Sequence, residues 1–264
     1  MTIFGNKKNT LLYKPSETKD MNVVVFGSGS GTNLKALLEA KKKRGSKFCV
    51  QAIFTDRKCG CHEIAESNKI PLVYLSFYRF YHERLALGYS DHEIRRDYDT
   101  EVTNQLLKLS EKMNFHIDLI VLAGYMRIVT PVLLGHFNNK IINVHPADLT
   151  IKDETGRRKY VGSDTVYDAL VAGEKYTRSC VILVDEHIDT GPIILSGPKV
   201  MYEGGYPVTR DISNDHQNKQ KHQSDWPCLV RSVELIADGK VSFDESNRVM
   251  IEKFDQFPDG LDIE

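Results

Sequence analysis

The stretch Asn22-Val23-Val24-Val25-Phe26-Gly27-Ser28-Gly29-Ser30-Gly31-Thr32-Asn33 decides the fold. Its β-branched run packs well on a pleated sheet and restricts helix formation. The run stops at glycines, and Asn33 to Lys43 behind them carries a helical pattern with Lys in the last turn. A short strand that passes through glycines into a helix is the opening unit of a sheet whose strands run parallel.

The same alternation continues outward. Phe48 to Thr55 reads as a second strand, Cys61 to Asn68 as a helix, Pro71 to Leu75 as a third strand and Asp91 to Lys112 as a long helix. The apolar run Asp118 to Ala123 is the best central strand. Pro131 suits the first position of a helix over Pro131 to His136, and Lys140 to His145 is the next strand. This succession predicts an α/β fold with a doubly wound, mainly parallel sheet, helices on both faces, and mixed strands in the C-terminal half. In that half Ser163 to Ala172 reads as a helix, Ser179 to Val184 and Ile193 to Val200 as strands, Ser213 to Gly239 as one long helix, and Val241 to Phe243 as a short strand. Unstructured chain is expected in the first twenty residues, in the excursion Ser76 to Ser90, and in the acidic tail from Asp255.

Composition bounds the function. With 41% hydrophobic residues, the 264-residue chain can bury a large core. Its 35 basic and 36 acidic residues leave a net charge of -1, so no overall basic field recruits nucleic acid or anionic lipid, and phosphate binding must be local. The polar start lacks the apolar segment of a signal peptide, and the longest apolar run, Ile117 to Met126, is far short of the roughly 20 residues that span a bilayer. A cytoplasmic protein without membrane contact is expected. Five cysteines fit a reducing compartment. Cys59-Gly60-Cys61-His62 supplies at most three ligands where a structural zinc needs four, so it reads as a loop of reduced thiols and no metal is expected.

Two motifs carry chemistry. The loop Gly27 to Asn33 lies where backbone amides and a helix N-terminus can hold a phosphate, or is simply a tight turn. It lacks the Gly-Lys-Ser/Thr of a P-loop, and Thr32 stands where a dinucleotide fingerprint has its third glycine, so a monophosphate fits it better than a pyrophosphate. Farther on, Asn143-Val144-His145-Pro146 ends a strand. Side chains two apart share a face, and Pro146 cannot continue the ladder, which hands Asn143 and His145 to a loop at the sheet edge. An amide that donates to a developing oxyanion, beside an imidazole that moves a proton, suits acyl transfer to an amine. Asp189, in Ile188-Asp189-Thr190-Gly191-Pro192, is a carboxylate able to orient that imidazole. Taken singly these residues also read as a loop cap, a strand-end histidine and a turn.

These stretches, together with Gly124-Tyr125-Met126-Arg127-Ile128 and Trp226-Pro227 followed by Ala237-Asp238-Gly239, resemble the folate-dependent formyltransferases over roughly Met21 to Phe243. The resemblance implies formyl transfer from 10-formyltetrahydrofolate to a primary amine, foremost that of glycinamide ribonucleotide in purine synthesis. The alternatives are an amine such as that of an amino sugar nucleotide, or hydrolysis of the same folate. It implies Asn143, His145 and Asp189 as the catalytic set, and Gly31, Thr32, Asn33 and Arg95 as ligands of the substrate phosphate, with Arg96 one residue away. Met126, Arg127, Ile128, Val129, Val184, Asp185 and Glu186 would bind the folate, largely through backbone groups. The implied partners are small molecules, a phosphorylated amine and a folate, with no metal, nucleic acid or membrane. Residues 1–20 then form an N-terminal extension, 21–245 a single formyltransferase domain with a phosphate-binding half of about 21–120 and a folate and catalytic half of about 121–245, and 246–264 a tail.

The chain also departs from that family. Asp164 stands at the place of a family histidine, Ile182 at that of another, and His222 at that of a glutamate that contacts the ribonucleotide. Asp148, Lys152, Asp153, Glu154, Arg157, Arg158 and Lys159 make a charged loop after Pro146, which reads as a lid or as a solvated insertion. The departures alter the walls around the acceptor and leave the formyl-transfer centre whole.

Overall fold

The computed structural model describes residues 10–43, 45–244, 248–251 and 261–262. In chain order the strands are β1 (Thr10–Leu11), β2 (Met21–Gly27), β3 (Phe48–Thr55), β4 (Leu72–Tyr74), β5 (Leu119–Leu122), β6 (Ile141–His145), β7 (Tyr176–Thr177), β8 (Cys180–Leu183), β9 (Ile193–Ser196), β10 (Val200–Met201), β11 (Val241–Phe243), β12 (Val249–Ile251) and β13 (Leu261–Asp262). The helices are α1 (Thr32–Lys41), α2 (Cys61–Asn68), α3 (Phe77–Leu85), α4 (Asp91–Lys112), α5 (Pro131–His136), α6 (Thr165–Val171), α7 (Arg210–Gln220) and α8 (Trp226–Ala237). Among the described residues no helix is long and apolar enough to cross a membrane.

The chain divides into two compact units. One comprises Met21–Val144 and Leu183–Gly191. Its strands run parallel in the order β4-β3-β2-β5-β6. The chain winds outward from β2 through β3 to β4, then returns to the other side of β2 for β5 and β6. Winding thus reverses between β2 and β5, and the loops after those two strands flank the crevice where open α/β sheets bind ligands. Pleat alternation divides the buried residues between two faces. Val24, Phe26, Ala52, Phe54, Ile120 and Leu122 pack with Tyr98, Val102 and Leu106 of α4 and Leu133 of α5. Val23, Val25, Ile53 and Val121, also buried, point the other way, and α1 and α2 bury Leu34, Leu37, Ala40, Cys61, Ile64 and Ala65. The expected doubly wound, mainly parallel sheet is the fold.

The excursion Ser76 to Ser90 is not unstructured. Ser76 Oγ accepts from Arg79 N at 3.3 Å and starts α3, and Phe77, with Phe80 and Tyr81 one turn on, packs into the core. Ser90 and Glu93 then form a capping box that starts α4, each satisfying the other's backbone N–H.

The second unit comprises Met1–Asp20, His145–Ile182 and Pro192–Glu264. Here β8 and β9 pair antiparallel, which gives the C-terminal half its mixed character. The expected strand Ile193 to Val200 is two strands, β9 and β10, and β10 pairs with β7 instead. Pro198 has no N–H for a ladder, and a Cβ on Gly197 would collide with Ser224, so this glycine lets the backbone pass close as it leaves the sheet. The long helix starts earlier than expected, behind Thr209, whose hydroxyl accepts from Ile212 N. A π-helical turn, Lys221–Asp225, divides α7 from α8. Pro227 explains the wide turn: it lacks an N–H, and its ring crowds the carbonyl one turn back.

The ends also differ from expectation where they are described. Thr10–Leu11 pairs with β11, and Leu12 is buried and donates its N–H to the Val241 carbonyl at 2.9 Å. Val249–Ile251 pairs with β11 on its other side, and Leu261–Asp262 runs parallel to β9. The expected loose tail falls, for residues 255–260 and 263–264, outside the described residues.

Candidate active site

The glycine loop follows β2 at the reversal of winding. Gly31 sits at φ +77° as the N-terminal cap of α1, and a Cβ there would meet Ile64 Cδ1 at 2.5 Å and Cys61 Sγ at 3.2 Å. Backbone conformation and packing both demand glycine. Gly29 differs, since a Cβ there would meet nothing within 4 Å. Among the described residues no side chain caps α1, and no acidic residue stands in its first turn. The first N–H groups of a helix have no intrahelical acceptor and carry the positive end of its dipole. The side-chain Oδ1 of Asn33 is buried and has no hydrogen-bond partner among the described residues. Thr32 and Asn33 open that first turn, so Gly31, Thr32 and Asn33 lie together at the open end of α1.

In the thiol loop, Cys61 faces the glycine loop. Its sulfur packs on Gly27 and Gly31, and burial pushes the thiol up to about 12. Among the described residues no group of three side chains could hold a metal.

The loop after β5 is tied to the glycine loop. Ser28 N donates to the Gly124 carbonyl at 3.2 Å, and Met126 N donates to Ser28 Oγ at 3.1 Å. Within 126–129 the side chains divide. Met126 and Ile128 are exposed, whereas Val129 is buried in the core, so any contact from Val129 to a ligand is through its backbone. Arg127 is not a loose solvated charge: its Nε donates to Asp56 Oδ2 at 2.7 Å, and its guanidinium lies 4.4 Å from the centre of the Phe77 ring. Arg57 shares that carboxylate at 3.3 Å, and Asp56 is fully buried. Arg95 Nε bonds Asp91 Oδ2 at 2.8 Å and stands 5.6 Å from the same Phe77 ring. Arg95 and Arg127 therefore stand by the same aromatic ring. Sequence reasoning missed Asp56 and Phe77.

Behind this segment, Thr130 N donates to Asp99 Oδ2 at 2.7 Å. Burial raises the Asp99 carboxyl to about 6, offset in part by the Thr130 bonds.

Asn143 and His145 emerge from the end of β6, two residues apart. Asn143 is half-buried and its Nδ2 donates to Asp189 Oδ1 at 3.4 Å. Asp189 itself takes the left-handed conformation, φ +53°. Its loop is built tightly: Val184 N donates to the Ile141 carbonyl, and a Cβ on Gly191 would coincide with the Leu183 carbonyl oxygen. Asp185 accepts from His187 N and Thr190 Oγ1, so its side chain shapes the loop. Glu186 is exposed.

His145 is buried, with 3% of its surface exposed. Its Nε2 lies 3.0 Å from the Tyr160 carbonyl oxygen. A carbonyl only accepts, so Nε2 carries the proton and, in the neutral ring, Nδ1 holds the lone pair.

The charged loop after Pro146 starts on a buried ion pair. Arg178 Nε donates to Asp148 Oδ2 at 2.8 Å, with both side chains under a tenth exposed. Thr150 gives its N–H and hydroxyl to the other carboxylate oxygen. Beyond it, Lys152 bridges to Arg158 and Lys159 N returns to the Ile151 carbonyl. Asp153 caps the intervening turn through Thr155 and Arg157. Of the three departures, Asp164 precedes α6 at φ +60° and pairs with Arg210, Ile182 lies in a small buried cluster, and His222 is exposed with its ring 4.0 Å from that of Trp226. In the same turn Asp225 is buried, which raises its carboxyl, and it accepts from Ser179 Oγ and Gln220 Nε2.

Comparison with known proteins sets this geometry in context. The family model described as formyl transferase matches residues 21–201. A phosphoribosylglycinamide formyltransferase of Mycobacterium tuberculosis is 34% identical over 182 residues, covering 69% of this chain and 72% of that protein. One from Escherichia coli is 26% identical over 226 residues, covering 86% and 92%. A trifunctional purine biosynthetic protein of Chironomus tentans is 27% identical over 224 residues, of which the chain spans 84% of itself and 14% of that relative. Among solved structures, a phosphoribosylglycinamide formyltransferase from Bacillus halodurans superposes with a TM-score of 0.63 at 28% identity, covering 82% of this chain and 95% of that one.

Proposed function

The chain belongs to the formyl transferase family, whose co-substrate is formyltetrahydrofolate, and on that premise we propose that it moves the formyl group of 10-formyltetrahydrofolate to the amine of glycinamide ribonucleotide, as its curated relatives are named to do. The observation that carries the reading is the end of β6. Asn143 and His145 leave one strand as an amide donor and a proton carrier, and Asn143 is hydrogen-bonded to Asp189.

In this reading Asn143 Nδ2 donates to the formyl oxygen as the amine adds and negative charge gathers there. His145 takes the proton of the attacking amine on Nδ1 and returns it to N10 of the folate as the C–N bond breaks, so protons balance over the cycle. Asp189, in its left-handed turn, orients the Asn143 amide. The backbone of Gly31, Thr32 and Asn33 receives the substrate phosphate at the open end of α1. The folate lies along 126–129 and the loop of Val184, Asp185 and Glu186, which offer it mainly backbone groups. We assign Arg95, with Arg127, to the glutamate carboxylates of the folate and not to the phosphate, because both guanidinium groups stand by the Phe77 ring. The reading carries a cytoplasmic enzyme acting on small molecules, without metal, nucleic acid or membrane.

The test is loss of the formyl group from the folate, followed by absorbance with and without glycinamide ribonucleotide. Turnover that needs the ribonucleotide supports the reading. Turnover only with another amine would replace the acceptor, and formate release with no acceptor would make the protein a hydrolase. His145→Ala and Asp189→Asn should each lower kcat by orders of magnitude while the protein stays folded; wild-type turnover in either refutes the mechanism.

A further inference from the structure

The reaction leaves open what fixes the working nitrogen of His145. His145 is the last residue of β6, and the following Pro146 ends the ladder, so the sheet alone does not set the ring. One contact that holds it is the Tyr160 carbonyl, fifteen residues away in sequence, at 3.0 Å from Nε2. That carbonyl lies at the far end of the charged loop, where backbone would ordinarily be adaptable.

Tyr160 is held through its own side chain. Its ring is buried, 4% exposed, and packs with Ala147, beside the His145-Pro146 step, and Ala169 of α6. Its hydroxyl donates to Glu174 Oε1 at 2.7 Å. Glu174 is fixed in turn, because its N–H donates to the Ala169 carbonyl at 3.0 Å at the end of α6. Lys159 Nζ stands 3.7 Å from the same Glu174 oxygen and 5.0 Å from the centre of the Tyr160 ring. The other end of the loop is tied by the buried Asp148–Arg178 pair. Helix, carboxylate, phenol, carbonyl and imidazole thus form one chain of contacts.

We propose that Tyr160 and Glu174 are positioning residues for His145: Glu174 anchors the Tyr160 side chain so that the Tyr160 carbonyl keeps the imidazole proton on Nε2 and leaves Nδ1 to take the proton of the amine. The proposal rests on the reading of His145 as proton carrier. When the amine gives its proton to Nδ1, the imidazolium keeps its Nε2–H on the Tyr160 carbonyl. Nδ1 then returns that proton to the leaving nitrogen. A histidine of the other tautomer would carry its proton on Nδ1, where it could not take the amine's, and its Nε2 lone pair would face the carbonyl oxygen.

The experiment combines kinetics with ¹⁵N NMR of the histidine ring in Tyr160→Phe, Glu174→Ala and Glu174→Gln. Tyr160→Phe keeps the buried ring and removes only the hydroxyl, so folding is preserved. It and Glu174→Ala should lower kcat about ten- to a hundredfold with the acceptor KM within about twofold, the scale of losing a ligand's orienting partner or of a small misplacement. The His145 signals should move from the Nε2–H tautomer to a mixture. Glu174→Gln still offers an oxygen to the phenol and should restore both readings. An unchanged kcat and unchanged tautomer in Tyr160→Phe and Glu174→Ala overturns the proposal, as does a raised acceptor KM at constant kcat, which would make Tyr160 part of the acceptor wall. Full turnover in His145→Ala is a different failure: it removes the underlying reading, whatever the Tyr160 variants do.

Discussion

Arg178→Ala tests whether the charged loop is anchored by a buried ion pair or floats in water. The Asp148 and Arg178 side chains are 3% and 7% exposed and meet at 2.8 Å. Removing one partner of such a pair strands the other charge and costs about 3–5 kcal/mol. Asp148 would keep two donors, the N–H and hydroxyl of Thr150 at 3.1 and 2.6 Å, which puts Arg178→Ala near the lower end of that range. Asp148→Ala should cost more, because it also takes the acceptor from Thr150. The double replacement Asp148→Leu with Arg178→Met exchanges two desolvated charges for apolar side chains and should lie near wild type. Urea unfolding followed by Trp226, the chain's single tryptophan, which lies in the same unit as the pair, reads the loss directly. Arg79→Ala, which breaks an ion pair whose partners are 80% and 59% exposed, should leave the midpoint in place as a control. A loss below about 1 kcal/mol in Arg178→Ala, the range of exposed pairs, would refute the argument. So would a double variant as unstable as the worse single one.

Three further outcomes follow from the site. Asp99 has its carboxyl raised from 3.8 to about 6, so its ionised form costs the folded state stability above pH 6, about 3 kcal/mol at most, and the cost vanishes as pH falls toward 4. Asp99→Asn, which still accepts from Thr130 N, should therefore raise the melting temperature at pH 7.5 and lose that advantage at pH 4; an advantage independent of pH rejects the assignment. Gly29→Ala should leave thermal stability intact and raise the ribonucleotide KM, whereas Gly31→Ala should destabilise the fold through its positive φ and the Ile64 contact; equal melting temperatures in the two variants would count against this division. Arg95→Ala should raise KM for the folate and spare that for the ribonucleotide, and the reverse pattern would return Arg95 to the phosphate.

What was legible in the sequence was what is local. Strand, glycines and helix from Asn22 to Lys43 read correctly because β-branching, the glycine run and the helical pattern all lie within one element, and Pro146 marked the end of β6 for the same reason. The helix at Phe77–Leu85 was equally local, with Ser76 as its cap and Phe77, Phe80 and Tyr81 at helical spacing, but its aromatic and charged composition hid an apolar stripe that becomes evident once Tyr98 is beside it. The partners that fix the site are not local at all. Asp56 looks like any residue at the end of a strand until Arg127 reaches it from 71 positions away, and Asp148 looks like one more surface charge until Arg178, 30 positions on, is folded against it. A charge in a loop is solvated by default, because burying it unpaired costs several kcal/mol, and the sequence carries no sign of which charge has found a partner. That is why a stretch dense in Asp, Lys and Arg read as a lid or an insertion when its two ends are tied, one to Arg178 and the other to Glu174. The loop is thus tied at both ends where the sequence suggested slack, and those ties are what would hold the His145 imidazole in one tautomer.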